Sequence, residues 1–178
     1  MDTLINYHAY WRNIWLWTCF SLGTFNSVYY YGESIFITSV SLSLLPPLFI
    51  SYLVWDAYKM LTYKQLYRSD LLVHHTVCLV VYGLMTYYNW NYIMSLLVIA
   101  ENLSLFNYWL EPPSLLKYKL FILVFYRIPF WSLFLYSSFG NAEYADHLYK
   151  LITGLFFFIG YDLFMIKKII QNPNLCKL

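Results

Sequence analysis

The chain has 178 residues, of which 61% are hydrophobic, 23% aromatic and only 11% charged. A typical soluble domain carries roughly 25% charged residues, and so few charges cannot coat a water-soluble globule. Intrinsic disorder is excluded because it requires low hydrophobicity. A nucleic-acid partner is disfavoured because the net charge is only +2. We therefore predict an integral membrane protein that does not bind nucleic acid.

Six stretches are apolar enough, over close to twenty residues each, to be transmembrane helices. A cleaved signal peptide is the rival interpretation of the first, but no short apolar core there ends in a small-residue cleavage site. The predicted fold class is all-α, with a transmembrane domain over 13–170 between cytoplasmic tails at 1–12 and 171–178. The six predicted spans are 13–31, 35–55, 71–88, 92–110, 119–139 and 149–166.

The basic residues are distributed unevenly between the connections. Nine of the 11 lysines and arginines fall on one side of the six-span arrangement, Lys150 falls on the other, and Arg127 lies within a span. The positive-inside rule then predicts that both termini face the cytoplasm. Pro46, Pro47 and Pro129 lie within spans, where a missing backbone donor is expected to kink the helix.

The few ionisable and amide residues inside the spans are costly there and are functional candidates by default. All are predicted to lie between the bilayer midplane and the cytoplasmic face, which indicates one polar cavity open to the cytosol. Glu101 and Arg127 could equally form a neutral buried pair, Asp162 could cap near Lys167, and Asp56 and Asp70 could be ordinary interfacial residues. The candidates are His74, His75, Asp70, Glu101, Asn102, Asn107, Arg127 and Asp162.

His74 and His75 are predicted to be catalytic, since histidine is the side chain best suited to proton transfer near neutral pH. Adjacent helical residues point about 100° apart, so one imidazole can face the cavity while the other bonds a neighbouring helix. Asp70 lies one turn before His74 and is predicted to orient an imidazole, as the acid of a catalytic triad does. A single-metal site of histidine and acidic ligands competes with this interpretation, although the three cysteines show no zinc spacing.

Residues 70–79, DLLVHHTVCL, resemble the D…HHxxTxxL core of the TLC-domain family, which includes the ceramide synthases. The preceding YLVWD at 52–56 is similar to the stretch that enters this motif. ENLSLFN at 101–107 resembles, with a small gap shift, the E-x-S-x-P-F-x-N segment of members that are not ceramide synthases. Arg127 and YDLFMIKK at 161–168 fall where that branch has an arginine-bearing span and a final aromatic and basic stretch.

The resemblance implies a helical membrane domain around a lipid-binding cavity, with His74 and His75 as the catalytic pair and Asp70 as the supporting acid. In ceramide synthases it implies N-acylation of a sphingoid base with acyl-CoA, so acyl-CoA is a possible substrate here. We expect no tightly bound cofactor and no metal. Ceramide synthases carry a second H-D-x-x-D element after the histidines, whereas this chain has Glu101 and Asn102 in the corresponding span.

Three functions are consistent with these features. The first is an acyl-CoA-dependent lipid N-acyltransferase, in which Arg127 holds an anionic head group or a carbonyl oxygen. The alternative is a non-catalytic protein that binds lipid or regulates membrane composition through the same cavity. A small channel or proton-coupled transporter is the third.

The expected partner is membrane lipid, and a homo-oligomer is compatible with the sequence. The expected location is the endoplasmic reticulum or another endomembrane.

Overall fold

A computed structural model describes residues 2–30, 35–110, 112–139 and 148–171. All regular structure in these ranges is helical, which confirms the all-α prediction. The helices are α1 (Asp2–Tyr30), α2 (Ile35–Thr62), α3 (Ser69–Tyr87), α4 (Asn91–Ala100), the composite α5 (Pro112–Phe121, Ile122–Arg127 and Ile128–Phe139) and α6 (Leu148–Gln171).

The chain forms two compact units, Met1–Tyr108 and Trp109–Leu178, where the sequence predicts one transmembrane domain. The first unit contains α1 to α4, and the second contains α5 and α6. Helix α1 starts at Asp2, inside the predicted tail at 1–12. The other predicted tail, at 171–178, lies outside the described residues except for Gln171, which ends α6.

Two helical segments among the described residues are long and apolar enough to cross a membrane, judged by length and composition. They are Ser69–Tyr87, which is α3, and Ser114–Tyr136, which belongs to α5. The predicted fourth span at 92–110 is wrong in its length. Helix α4 ends at Ala100, and the chain tightens into a 3-10 turn, Glu101–Ser104, which places the Glu101 carboxylate beside α3.

Helix α1 packs closely on α4 in the first unit, and Gly23 is the point of approach. A Cβ atom added at Gly23 would lie 3.0 Å from the Ser95 carbonyl oxygen and 3.4 Å from Ile99 Cγ1. Small residues allow such backbone approach between helices in a membrane. Three residues further along α1, the Asn26 amide donates a buried hydrogen bond of 3.1 Å to the Ser95 hydroxyl. This contact fixes α1 against α4 through polar as well as apolar groups.

Gly23→Ala is expected to lower the free energy of unfolding by about 1–3 kcal/mol, because the added methyl meets backbone that cannot move aside. Gly83→Ala is the matched control, since a Cβ atom at Gly83 in α3 meets nothing within 4 Å. Thermal unfolding of the two variants in the same detergent checks the prediction. Equal melting temperatures for Gly23→Ala and Gly83→Ala would contradict the close packing of α1 on α4.

In the second unit, α5 changes its winding midway. The segment Ile122–Arg127 is π-helical, and the Ile128 backbone N–H donates to the Leu123 carbonyl five residues earlier. Pro129 follows at once and has no N–H to donate, so the wider turn lies where the ordinary hydrogen-bond pattern must be interrupted. This π-turn immediately precedes Pro129, and the kink expected there stays a prediction. By contrast, α2 remains helical through Pro46 and Pro47.

Candidate functional site

His75 contacts α2 through the carboxylate of Asp56. His75 Nδ1 lies 3.5 Å from Asp56 Oδ2, and His8 Nε2 from α1 lies 2.7 Å from Asp56 Oδ1. All three side chains are buried, with Asp56 fully so. The His8 ring also stacks on Trp55, with ring centroids 5.1 Å apart. A single carboxylate is therefore held between imidazoles from two other helices.

The Asp56 carboxylate has unused hydrogen-bonding capacity. Among the described residues, no group donates a hydrogen bond of good geometry to either Asp56 oxygen, and His8 Nε2 and His75 Nδ1 are equally unsatisfied. Burying a charged group without such bonds is costly, so most buried polar groups in proteins are paired. Here the two imidazoles lie close enough to offset the charge of Asp56, and the buried arrangement of His8, Asp56 and His75 is a functional candidate.

His74 lies beside a second acidic residue. His74 Nε2 is 3.4 Å from Glu101 Oε2 and 3.4 Å from the Cys78 sulfur. The Cys78 thiol in turn points to Glu101 Oε1 at 4.0 Å. His74 and Cys78 are four residues apart on α3 and so share one face of the helix. The tight turn after α4 brings Glu101 to the same face.

The two clusters lie side by side in the first unit. The ring centroids of His74 and His75 are 5.8 Å apart, and each ring reaches a different neighbouring element. The sequence predicts that adjacent histidines diverge in this way, and the structure adds the partner of each. Tyr52 packs edge-on against His75, with ring centroids 6.0 Å apart.

Each predicted catalytic histidine lies beside an acid other than Asp70, which is the expected one. Asp70 is engaged by Arg68, whose Nη2 lies 2.8 Å from Asp70 Oδ2 in the turn that starts α3. Asp56, which the sequence treats as interfacial, is the carboxylate beside His75. The geometry therefore favours Asp56 over Asp70 as the supporting acid.

Arg127 and Asp162 form a buried ion pair within the second unit. Arg127 Nε donates to Asp162 Oδ2 at 2.9 Å, and the Trp131 indole donates to the same oxygen at 2.9 Å. The guanidinium also lies over the Trp131 ring, 5.7 Å from its centroid. Asp162 is thus more than a cap near Lys167. The pairing of Glu101 with Arg127 stays a prediction.

The two candidate amide residues, Asn102 and Asn107, have fewer described contacts. Asn107 lies in the turn after the 3-10 segment, where its backbone N–H donates to the Ser104 carbonyl and its side-chain Oδ1 is buried without a hydrogen bond. The side chain of Asn102 lies outside the described residues. Arg12 of α1 reaches the same turn, with its Nη2 3.4 Å from the Ser104 hydroxyl.

Sequence reasoning missed three contributors to this site: His8, Asp56 and Cys78. His8 was assigned to a tail, although its stretch is helical from Asp2 onward. The spacing of four residues between His74 and Cys78 was a usable signal, because it places both side chains on one helical face. Nothing in the spacing along the chain connects His8 with Asp56, since they lie on different helices.

Comparisons with known proteins give no relative from which a role could be transferred. No family model matches the chain, and searches of curated proteins and of solved structures find no significant match. Membership of the TLC-domain family therefore stays a prediction that rests on the paired-histidine segment and its flanking residues.

Proposed function

We propose that the chain is a multi-pass membrane protein of lipid metabolism that transfers an acyl group to a lipid amine or hydroxyl. The observation that carries the proposal is the buried His75–Asp56 pair, which lies next to a second histidine in a predominantly apolar unit. A carboxylate at one ring nitrogen orients an imidazole and leaves the other nitrogen to exchange a proton. In this proposal all six helices are associated with the bilayer and both termini face the cytosol.

The distribution of polarity supports placement in a membrane. Buried polar side chains in the first unit include His8, Asn26, Asp56, His74 and His75, while large apolar side chains face outward. Soluble monomers rarely expose extensive apolar surface. The outward-facing residues on α3 and α5 include Val73, Val80, Leu84, Phe121, Phe125, Leu133 and Tyr136.

The chemistry of the proposed transfer needs one group that accepts and returns a proton. The acceptor amine attacks the thioester carbonyl of acyl-CoA, forming the C–N bond, and the C–S bond then breaks to release coenzyme A. His75 Nε2 takes the proton that the amine loses and returns it to the departing thiolate. Asp56 stabilises the imidazolium between these two transfers.

The proposal is tested by incubating the purified protein, in nanodiscs of defined phospholipid, with labelled acyl-CoA and a long-chain amine such as a sphingoid base. We expect formation of the N-acyl product together with free coenzyme A. His75→Gln is expected to abolish the product above background. Tyr58→Phe is the control, because the Tyr58 side chain lies on the exposed face of α2.

Absence of turnover with acyl donors of short, medium and long chains would overturn the enzymatic proposal. If the protein nevertheless retains stoichiometric lipid through purification, the result supports the non-catalytic lipid-binding function.

A further inference from the structure

His74, Cys78 and Glu101 bring together the three kinds of donor atom that zinc binds in proteins. Among the residues that the structure describes, their ligand atoms lie within 4.8 Å of one another, and both His74 and Cys78 are buried. Imidazole nitrogen and cysteine sulfur favour zinc over calcium or magnesium, which prefer oxygen. This set of donor atoms therefore favours zinc over calcium or magnesium, which a purely acidic cluster would not do.

The distances within this cluster come close to those around a single tetrahedral ion. Zinc bonds of about 2.0–2.3 Å in a tetrahedron place neighbouring ligand atoms about 3.3–3.7 Å apart. His74 Nε2 lies 3.4 Å from Glu101 Oε2 and 3.4 Å from Cys78 Sγ, and Cys78 Sγ lies 4.0 Å from Glu101 Oε1. The two Glu101 distances end on different carboxylate oxygens, and with one oxygen as ligand the three atoms lie within 4.8 Å, so they must draw closer together on binding zinc.

The supporting elements hold two of the ligands in place. His74 and Cys78 are one turn apart on α3, so the helix itself fixes their separation. Glu101 begins the 3-10 turn that follows α4. We infer that His74, Cys78 and Glu101 form a binding site for one zinc ion.

Three protein ligands leave the fourth position of a tetrahedral zinc ion for water or a substrate oxygen, as in catalytic zinc sites. His75, which carries the Asp56 contact, is the adjacent residue along the chain. The inference does not depend on acyl transfer, because it is tested by metal content and coordination and not by turnover.

The first experiment measures zinc by elemental analysis in protein purified without a polyhistidine tag and dialysed against metal-free buffer. We expect close to one zinc per chain. A content below about one tenth of an equivalent, unchanged after zinc is added back and excess removed, would overturn the site. Failure of the acyl-transfer assay with zinc present would overturn the proposed function alone.

The second experiment identifies the ligands with Co²⁺, which gives a charge-transfer band in the near ultraviolet when a thiolate binds it. The background variant Cys19→Ser/Cys176→Ser leaves Cys78 as the single thiol, since the chain has 3 cysteines. We expect this background to show the band with Co²⁺ and to lose it when Cys78→Ser is added. A band that persists without Cys78 would overturn the assignment.

Glu101→Gln keeps the size of the side chain and provides a milder variant where Cys78→Ser fails to fold. Loss of a direct ligand is expected to weaken Co²⁺ binding by at least about 100-fold, since even supporting contacts cost 10- to 100-fold. Cys19→Ser alone, which changes another buried cysteine, is expected to bind Co²⁺ like the unmodified chain. Equal affinity of Glu101→Gln and Cys19→Ser would contradict the site.

Discussion

Asp162→Asn is expected to lower the free energy of unfolding by about 3–5 kcal/mol, the cost of leaving a buried charge without its partner. Arg127 is only 1% exposed and Asp162 is fully buried, so water cannot replace the missing carboxylate. The Asp162 oxygen also accepts from Trp131, and both hydrogen bonds are weakened at once. Denaturant titration of the protein in mixed micelles measures the effect.

Lys167→Gln is the matched control for Asp162→Asn, because it also replaces a charge by an amide on α6 but at an exposed position. It is expected to change the stability by less than about 0.5 kcal/mol. The double replacement of Arg127→Met with Asp162→Leu is expected to recover most of the lost free energy of unfolding. A buried site accommodates a pair of apolar side chains at little cost, whereas a single buried charge there is costly. A double variant as unstable as Asp162→Asn would show that the loss comes from packing.

Asp56→Asn is expected to reduce the turnover number for acyl transfer by roughly 10²–10⁴-fold, because the amide no longer stabilises the imidazolium or fixes the tautomer of His75. The Michaelis constant for acyl-CoA is expected to change little, since Asp56 is fully buried and its oxygens lie beside the His8 and His75 rings. Steady-state kinetics in nanodiscs separate the two constants.

Asp70→Asn provides the comparison that decides between the two candidate acids. Its carboxylate is paired with Arg68, so its loss is expected to reduce turnover less than the loss of Asp56 does. If Asp70→Asn lowers turnover more than Asp56→Asn, the supporting acid is the one that the sequence motif indicates and the assignment from geometry is wrong.

The sequence was sufficient to predict the features that depend on local composition and on the 3.6-residue repeat of the α-helix. Apolar runs of helical length predicted a helix in each of six regions, and α1 to α6 occupy those regions. The adjacent histidines were predicted to face different neighbours, because successive helical residues diverge by about 100°. His74 and His75 do contact different elements, Glu101 after α4 and Asp56 on α2.

The partners of these histidines could not be predicted from the sequence. They depend on which helices pack together and on how far each helix is shifted along its axis relative to its neighbour. Asp70 is close to His74 in sequence and belongs to the segment that resembles the TLC-domain motif, and these two features made it the favoured acid. Asp56 is 19 positions before His75 and lies on a different helix, where only packing of α2 against α3 brings them together. Likewise, the end of α4 at Ala100 and the contact of Glu101 with α3 could not be read from an apolar stretch that continues to residue 110.

The π-helical turn in α5 has a consequence for how this segment tolerates change in chain length. A π-turn accommodates one more residue than an α-turn does, so the helix after it is rotated by about 100° relative to an uninterrupted α-helix. Arg127 ends this turn, and Trp131 lies one turn later. Removing any single residue from 122–126 would restore the regular winding and leave both side chains facing Asp162, because the π-turn already absorbs one residue. The segment is therefore expected to tolerate the loss of one residue without losing the buried ion pair.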